Sequence, residues 1–166
     1  AGGKVHDFNN LLTVMLGSVE SEGEALEPSA PAVHAPAPSR APSGTETVLL
    51  VEDDAGVREV AERALRAGGY QVISAAGAEL ALQLANAAGS PPALLVTDVI
   101  MPTMTGPELA GRLRAECPSM RVLYLSGYAH EVIGPHGVLE PGVSFLAKPF
   151  TPRSLLAKVR EVIDVG

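Results

Sequence analysis

The sequence predicts an α/β fold built on a parallel five-stranded sheet. Three observations carry that expectation. From Thr47 onward, short apolar segments alternate with helical patterns, as strands joined through crossover helices do. These segments lack the polar alternation of a half-exposed strand, so both faces of the sheet should be covered. Polar groups also sit where the segments end: VLLVEDD at 48–54, ALLVTDVIMP at 93–102, VLYLS at 122–126 and VSFLAKP at 143–149. In an open parallel sheet the carboxyl ends share one edge, and ligands bind in the crevice there. About 120 residues with this alternation match a flavodoxin-like (βα)5 arrangement of strand order 2-1-3-4-5, with its switch point between strands one and three.

The elements follow in order. Residues 1–24 read as one helix, with Val5, Phe8, Leu12, Met15 and Val19 on a three-four spaced seam. A lone helix of this length is marginal in water, so the seam wants a partner. Residues 25–46, with prolines at 28, 31, 36, 38 and 42 among Ala and Ser, read as a semi-extended linker. The αβ unit spans 47–166. Strand one is Val48–Val51. Its helix places Val57, Val60, Ala61, Ala64 and Leu65 on one face and stops at Gly68-Gly69. Strand two is Gln71–Ser74, followed by a helix carrying Leu80, Ala81, Leu84 and Ala88 and closed by Gly89-Ser90-Pro91-Pro92. Strand three is Ala93–Thr97, and the third helix opens at Gly106-Pro107, with proline at a tolerated position. Strand four is Arg121–Leu125. A helix over 129–139 is interrupted by Gly134, Pro135 and Gly137. Strand five is Val143–Ala147. The last helix opens with the cap Thr151 and Pro152, and buries Leu155, Leu156, Val159, Val162 and Ile163.

Composition narrows the function. The net charge of −7 and the lack of basic clusters argue against a nucleic-acid surface. The single Cys117 cannot form an internal disulfide or a zinc cluster, and reads as a half-buried thiol in a reducing, cytoplasmic protein. No run approaches the length of about 18 apolar residues that a membrane span needs. AGGKVHDF is not a signal peptide, and the sequence reads as a piece of something longer. His34, His130 and His136 lack metal-ligand spacing.

What remains is the row of strand ends. Two or three acids at 52–54, a central Asp98, the hydroxyl of Ser126 and the ammonium of Lys148 form an inventory for Mg²⁺-assisted phosphoryl transfer to a carboxylate. Clustered carboxylates repel one another unless a cation joins them. Taken singly, each patch has an ordinary reading: the acids as a solvated turn, Ser126 as a strand-end hydroxyl, Lys148 as a surface lysine. Asp54 fits either a third ligand or a helix cap.

VEDD at 51–54, DVIMPTMTG at 98–106, SGY at 126–128 and KPF at 148–150, in this order, resemble the receiver domain of two-component response regulators. The resemblance covers 47–166. It implies that Asp98 accepts a phosphoryl group from a phosphohistidine. It implies that Glu52 and Asp53 organise Mg²⁺ with Asp98 and the backbone carbonyl of Ile100, and that Lys148 and Ser126 contact the phosphoryl group. Phe145 stands where the family carries a switch aromatic that responds with Ser126, a core phenylalanine being the alternative. The Lys148-Pro149 bond is expected to be cis.

The amino-terminal segment AGGKVHDFNNLLTVMLG resembles the H-box of the dimerisation helix of sensor histidine kinases, whose histidine is autophosphorylated. His6 matches that histidine, Asp7 follows as the candidate base, and Asn10 lies one helical turn away. The second hairpin helix and the ATP-binding domain of that family do not follow. The site therefore reads as vestigial, and 1–24 as the remnant of a hybrid kinase. No nucleotide-binding loop appears, since Ser126-Gly127 and Gly134–Gly137 fit no phosphate-loop spacing. The expected function is a phosphorelay receiver of a hybrid histidine kinase, taking phosphate from a histidine kinase or phosphotransfer domain and passing it to a downstream phosphotransfer or effector protein. The alternatives are a stand-alone response regulator acting by protein contact and a receiver-like interaction module that never turns over phosphate.

Overall fold

The computed structural model describes residues 43–127 and 143–165. Strands β1 (Thr47–Val51), β2 (Gln71–Ala75), β3 (Leu94–Asp98), β4 (Arg121–Ser126) and β5 (Ser144–Ala147) form one parallel sheet in the order β2-β1-β3-β4-β5. That is the order the alternation predicts. Helices α1 (Ala55–Ala67), α2 (Ala78–Ala87), α3 (Gly106–Glu116) and α4 (Pro152–Asp164) connect or follow them. The helix expected over 1–24, with His6, Asp7 and Asn10, lies outside the described residues, as do most of the linker and the segment 129–139.

Strand side chains alternate between the two faces of the sheet, so each strand feeds two cores. Val48, Leu50, Leu94, Val96, Leu123 and Leu125 point to one side, where they meet Val57, Ala61 and Leu65 of α1 and Leu155, Val159 and Val162 of α4. Leu49, Val51, Leu95, Val122 and Tyr124 point to the other, against Ala78 and Ala81 of α2 and Leu109, Ala110 and Leu113 of α3. All five residues of β3 are buried, as the central strand requires. A fully buried leucine contributes about 1.5–3 kcal/mol relative to an exposed one, so this double core dominates the stability.

One expected helix face is corrected. Leu80 is 43% exposed and not part of the core. The stripe that α2 turns inward runs through Ala78, Ala81, Leu82 and Ala85, at the spacing i, i+3, i+4, i+7. Leu80 falls on the opposite side of that stripe. Val60 is half-buried, at the edge of the α1 face.

The helix ends are made as their sequences suggest. Gly69, just past α1, takes a φ of 93°, which favours glycine. Thr105 and Glu108 form a capping box at α3, and Thr151 and Ser154 form another at α4. Arg121 of β4 donates to the carbonyl of Val162 at 2.8 Å, tying the end of α4 to the sheet. Upstream of β1, Gly44 N donates to the Gly68 carbonyl at 3.0 Å, and Arg160 pairs with Glu46 at 2.9 Å.

The loop after β3 closes tightly on itself. Gly106 N donates to the Val99 carbonyl at 2.9 Å. A Cβ on Gly106 would overlap the carbonyl oxygen of Asp98. This close approach, and not a backbone conformation, is what requires glycine. Gly106→Ala is expected to lower the unfolding free energy by about 1–3 kcal/mol, because the backbone must shift to admit the methyl group. Urea denaturation measures it, and an unchanged midpoint would mean that the loop relaxes freely.

Candidate functional site

The sheet register lines up the predicted site. Val51 pairs with Thr97, Asp98 with Leu125, and Ser126 with Ala147. Glu52, Asp98, Ser126 and Lys148 therefore leave neighbouring strands at the same edge. The ladder continues past the strands: Glu52 N donates to Ala75 O at 3.2 Å, Val99 N to Leu125 O at 3.0 Å, and Lys148 N to Ser126 O at 2.7 Å. Alternation puts Glu52, Asp98 and Lys148 in phase with the sheet face that carries α1 and α4. The Lys148-Pro149 bond is cis, as expected from the resemblance.

Lys148 joins the two acids. Its Nζ donates to Glu52 Oε2 at 2.8 Å and to Asp98 Oδ2 at 2.9 Å. All three side chains are essentially buried. Burial is the largest influence on Glu52 and pushes its carboxyl up to about 7, against the pull of the Lys148 ammonium, while Asp98 adds to the rise. For Lys148 burial works against the charge, but Glu52 and Asp98 together outweigh it and hold the ammonium above its usual range. A buried charge persists only when it is paired, and here one cation serves two anions.

Asp53 stands beside this triad. Glu52, Asp53 and Asp98 each offer a carboxylate oxygen, all within 4.8 Å of one another. Asp53 Oδ1 is buried and has no hydrogen-bond partner among the described residues. Three hard oxygen donors with one buried, unsatisfied atom fit a divalent cation such as Mg²⁺. A cleft lined by Asp53, Gly77, Leu80, Met101 and Thr103 lies next to Asp53.

Other predicted residues take definite places. Asp54 is the N-cap of α1, its Oδ1 accepting from Val57 N at 2.9 Å, so the cap reading holds over the ligand reading. Its own N–H donates to Glu52 Oε1 at 3.2 Å. Ser126 is buried at the end of β4. Phe145 is 41% exposed on β5, which removes the core alternative. The Ile100 side chain is half exposed, two residues past Asp98. Cys117 is half-buried at the end of α3. Sequence reading passed over Arg58, whose Nη1 donates to the backbone carbonyls of Glu52 at 2.6 Å and Asp53 at 3.3 Å. A cation in the first turn of a helix, against the macrodipole, was the available signal.

Residues 48–160 match the family model of the response regulator receiver domain. The chain belongs to the receiver-domain family. It is 38% identical over 122 residues to the sensor kinase CckA of Brucella abortus (strain 2308), an alignment covering 74% of this chain and 13% of that protein. It is 32% identical over 119 residues to the response regulator receiver protein CpdR of the same organism, covering 70% of this chain and 95% of CpdR. Among solved structures, the receiver domain from the hybrid histidine kinase CckA is 40% identical, with a TM-score of 0.59 over 70% of this chain and 98% of that one. The Vibrio cholerae chemotaxis protein CheY4 is 28% identical, with a TM-score of 0.61 over 72% and 99%. The chain thus spans a small part of CckA and nearly all of CpdR. This receiver is similar to domains of two-component systems, and the four strand-end motifs lie inside the matched region. No helix among the described residues is long and apolar enough to cross a membrane.

The geometry separates the roles of the adjacent acids. If Mg²⁺ occupies the acidic cluster, it is expected to stabilise the folded state, and Asp53→Ala to remove most of that stabilisation. Asp54→Ala is expected to lower stability by about 1 kcal/mol through loss of the cap, and to keep the Mg²⁺ response. Differential scanning fluorimetry with and without Mg²⁺ reads both, and a Mg²⁺ response lost in Asp54→Ala but kept in Asp53→Ala would reverse the assignment.

Proposed function

We propose that Asp98 is the phosphoryl acceptor of this receiver. The observation that carries the reading is the double ion pair of Lys148 with Glu52 and Asp98, at the strand edge where the other motif residues also end. In the transfer, the phosphorus–nitrogen bond of a phosphohistidine breaks as a bond forms from phosphorus to an Asp98 carboxylate oxygen. The imidazole leaves and the product is an acyl phosphate. Lys148 places its ammonium 2.9 Å from Asp98 Oδ2, and then pairs with the added phosphoryl oxygens. Ser126 donates its hydroxyl to one of those oxygens. Mg²⁺, held by Glu52, Asp53, Asp98 and the Ile100 carbonyl, would offset the charge on the transferred oxygens.

The output follows from the same site. Movement of Ser126 toward the phosphoryl group makes room for the exposed ring of Phe145 to turn inward, and so shifts the population between two surface states. The likeness to CckA, together with the H-box resemblance at His6, Asp7 and Asn10, supports an origin in a hybrid histidine kinase. A histidine kinase or phosphotransfer domain is then the donor, and a phosphotransfer or effector protein the recipient. A stand-alone regulator is the second reading, favoured by the match over 95% of CpdR.

Acetyl phosphate with Mg²⁺ is expected to add one phosphoryl group to the wild-type chain, and Asp98→Asn to abolish the addition. Intact-mass spectrometry measures this, and equal labelling of the variant would move the acceptor elsewhere.

A further inference from the structure

Arg58 is a charged side chain that the phosphoryl chemistry above leaves unused. It lies in the first turn of α1, where the partial positive charge of the helix end disfavours a cation. No acidic residue occupies that turn. The nearby carboxylate on the same helix, Glu62, is engaged by Ser74 Oγ at 2.7 Å and by Arg66 at 2.8 Å. The guanidinium turns back instead and donates to the carbonyls of Glu52 at 2.6 Å and Asp53 at 3.3 Å.

These two carbonyls belong to the peptides that carry the acid pair. The Glu52 side chain is already fixed, by Lys148 on Oε2 and by Asp54 N on Oε1. Asp53 differs, because its buried Oδ1 has no partner among the described residues. With that oxygen unengaged, the backbone of Asp53 gains weight in placing its side chain, and Arg58 donates to that backbone. We propose that Arg58 is a positioning residue for divalent-cation binding, its two-carbonyl grip holding Asp53 where a carboxylate oxygen lies within 4.8 Å of those of Glu52 and Asp98. The inference rests on the reading of these acids as a metal site.

Two effects of opposite sign compete at Arg58. A fixed positive charge near the site repels an entering cation. A fixed backbone spares the cation the cost of ordering the loop, as partners behind metal ligands do. The hydrogen bonds aim the guanidinium at the backbone and not at the carboxylates, so positioning is expected to win. Lysine keeps the charge but lacks the planar fork that reaches two acceptors.

The test is a Mg²⁺ titration of the full chain followed by amide NMR shifts of the 51–54 loop, for wild type, Arg58→Gln and Arg58→Lys. Positioning predicts a Kd raised about tenfold or more in Arg58→Gln and by a smaller factor in Arg58→Lys. At saturating Mg²⁺, both variants are expected to take phosphate from acetyl phosphate at close to the wild-type rate. Either variant binding Mg²⁺ as tightly as wild type, or tighter, would overturn the inference while leaving the metal site in place. A wild-type chain that shows no Mg²⁺-dependent shift in this loop would overturn both. Should Arg58→Gln fail to fold, the Lys variant alone decides by the same criterion.

Discussion

Lys148 brings together carboxylates that lie 96 and 50 residues away along the chain, and the rest of the site is arranged around that contact. Removing three charges from water is costly, and the attraction among them repays the cost only when the geometry is close. The double ion pair meets that condition with both distances under 3 Å. It sets one ammonium against two buried carboxyl groups, with a third, Asp53, adjacent. Such a site favours a further cation and, beyond it, an anionic group that the cations can share. An arrangement that stores negative charge at the end of a central strand is suited to pass a phosphoryl group and ill suited to bind an apolar ligand.

The contact depends on the register of the sheet. Alternation along β1, β3 and β5 sets Glu52, Asp98 and Lys148 in phase with the face that holds α1 and α4. Slipping any one strand by a single residue would send its polar group to the α2 and α3 side. The buried leucines and valines that pin the register therefore fix the chemistry as well. The loop from Asp98 to Gly106 adds a second constraint, since Gly106 packs against the Asp98 carbonyl with no room for a side chain between them.

Much of this was legible in the sequence because the signals are local. Each strand is a short apolar run, and each functional residue stands at the end of one, so the strand order and the grouping of Glu52, Asp53, Asp98, Ser126 and Lys148 could be written down beforehand. The details misread or left open in the sequence turned on side-chain direction. Leu80 is apolar and helical, yet it faces out because the inward stripe of α2 runs through Ala78, Ala81, Leu82 and Ala85. Asp54 follows two acids of the site, but its φ of −69° and ψ of 117° make it the cap of α1. Phe145 could have been core or surface, since alternation in β5 cannot tell which side is covered. Arg58 was passed over because its partners are carbonyls, which no residue pattern displays.

A crystal structure with Mg²⁺ and beryllofluoride tests the central claim most directly. The account predicts beryllium bonded to an Asp98 carboxylate oxygen, Lys148 Nζ and Ser126 Oγ on the fluorines, and Mg²⁺ touching Asp53. Beryllofluoride on another residue, or a Lys148 that stays on Glu52 and makes no contact with fluorine, would contradict it.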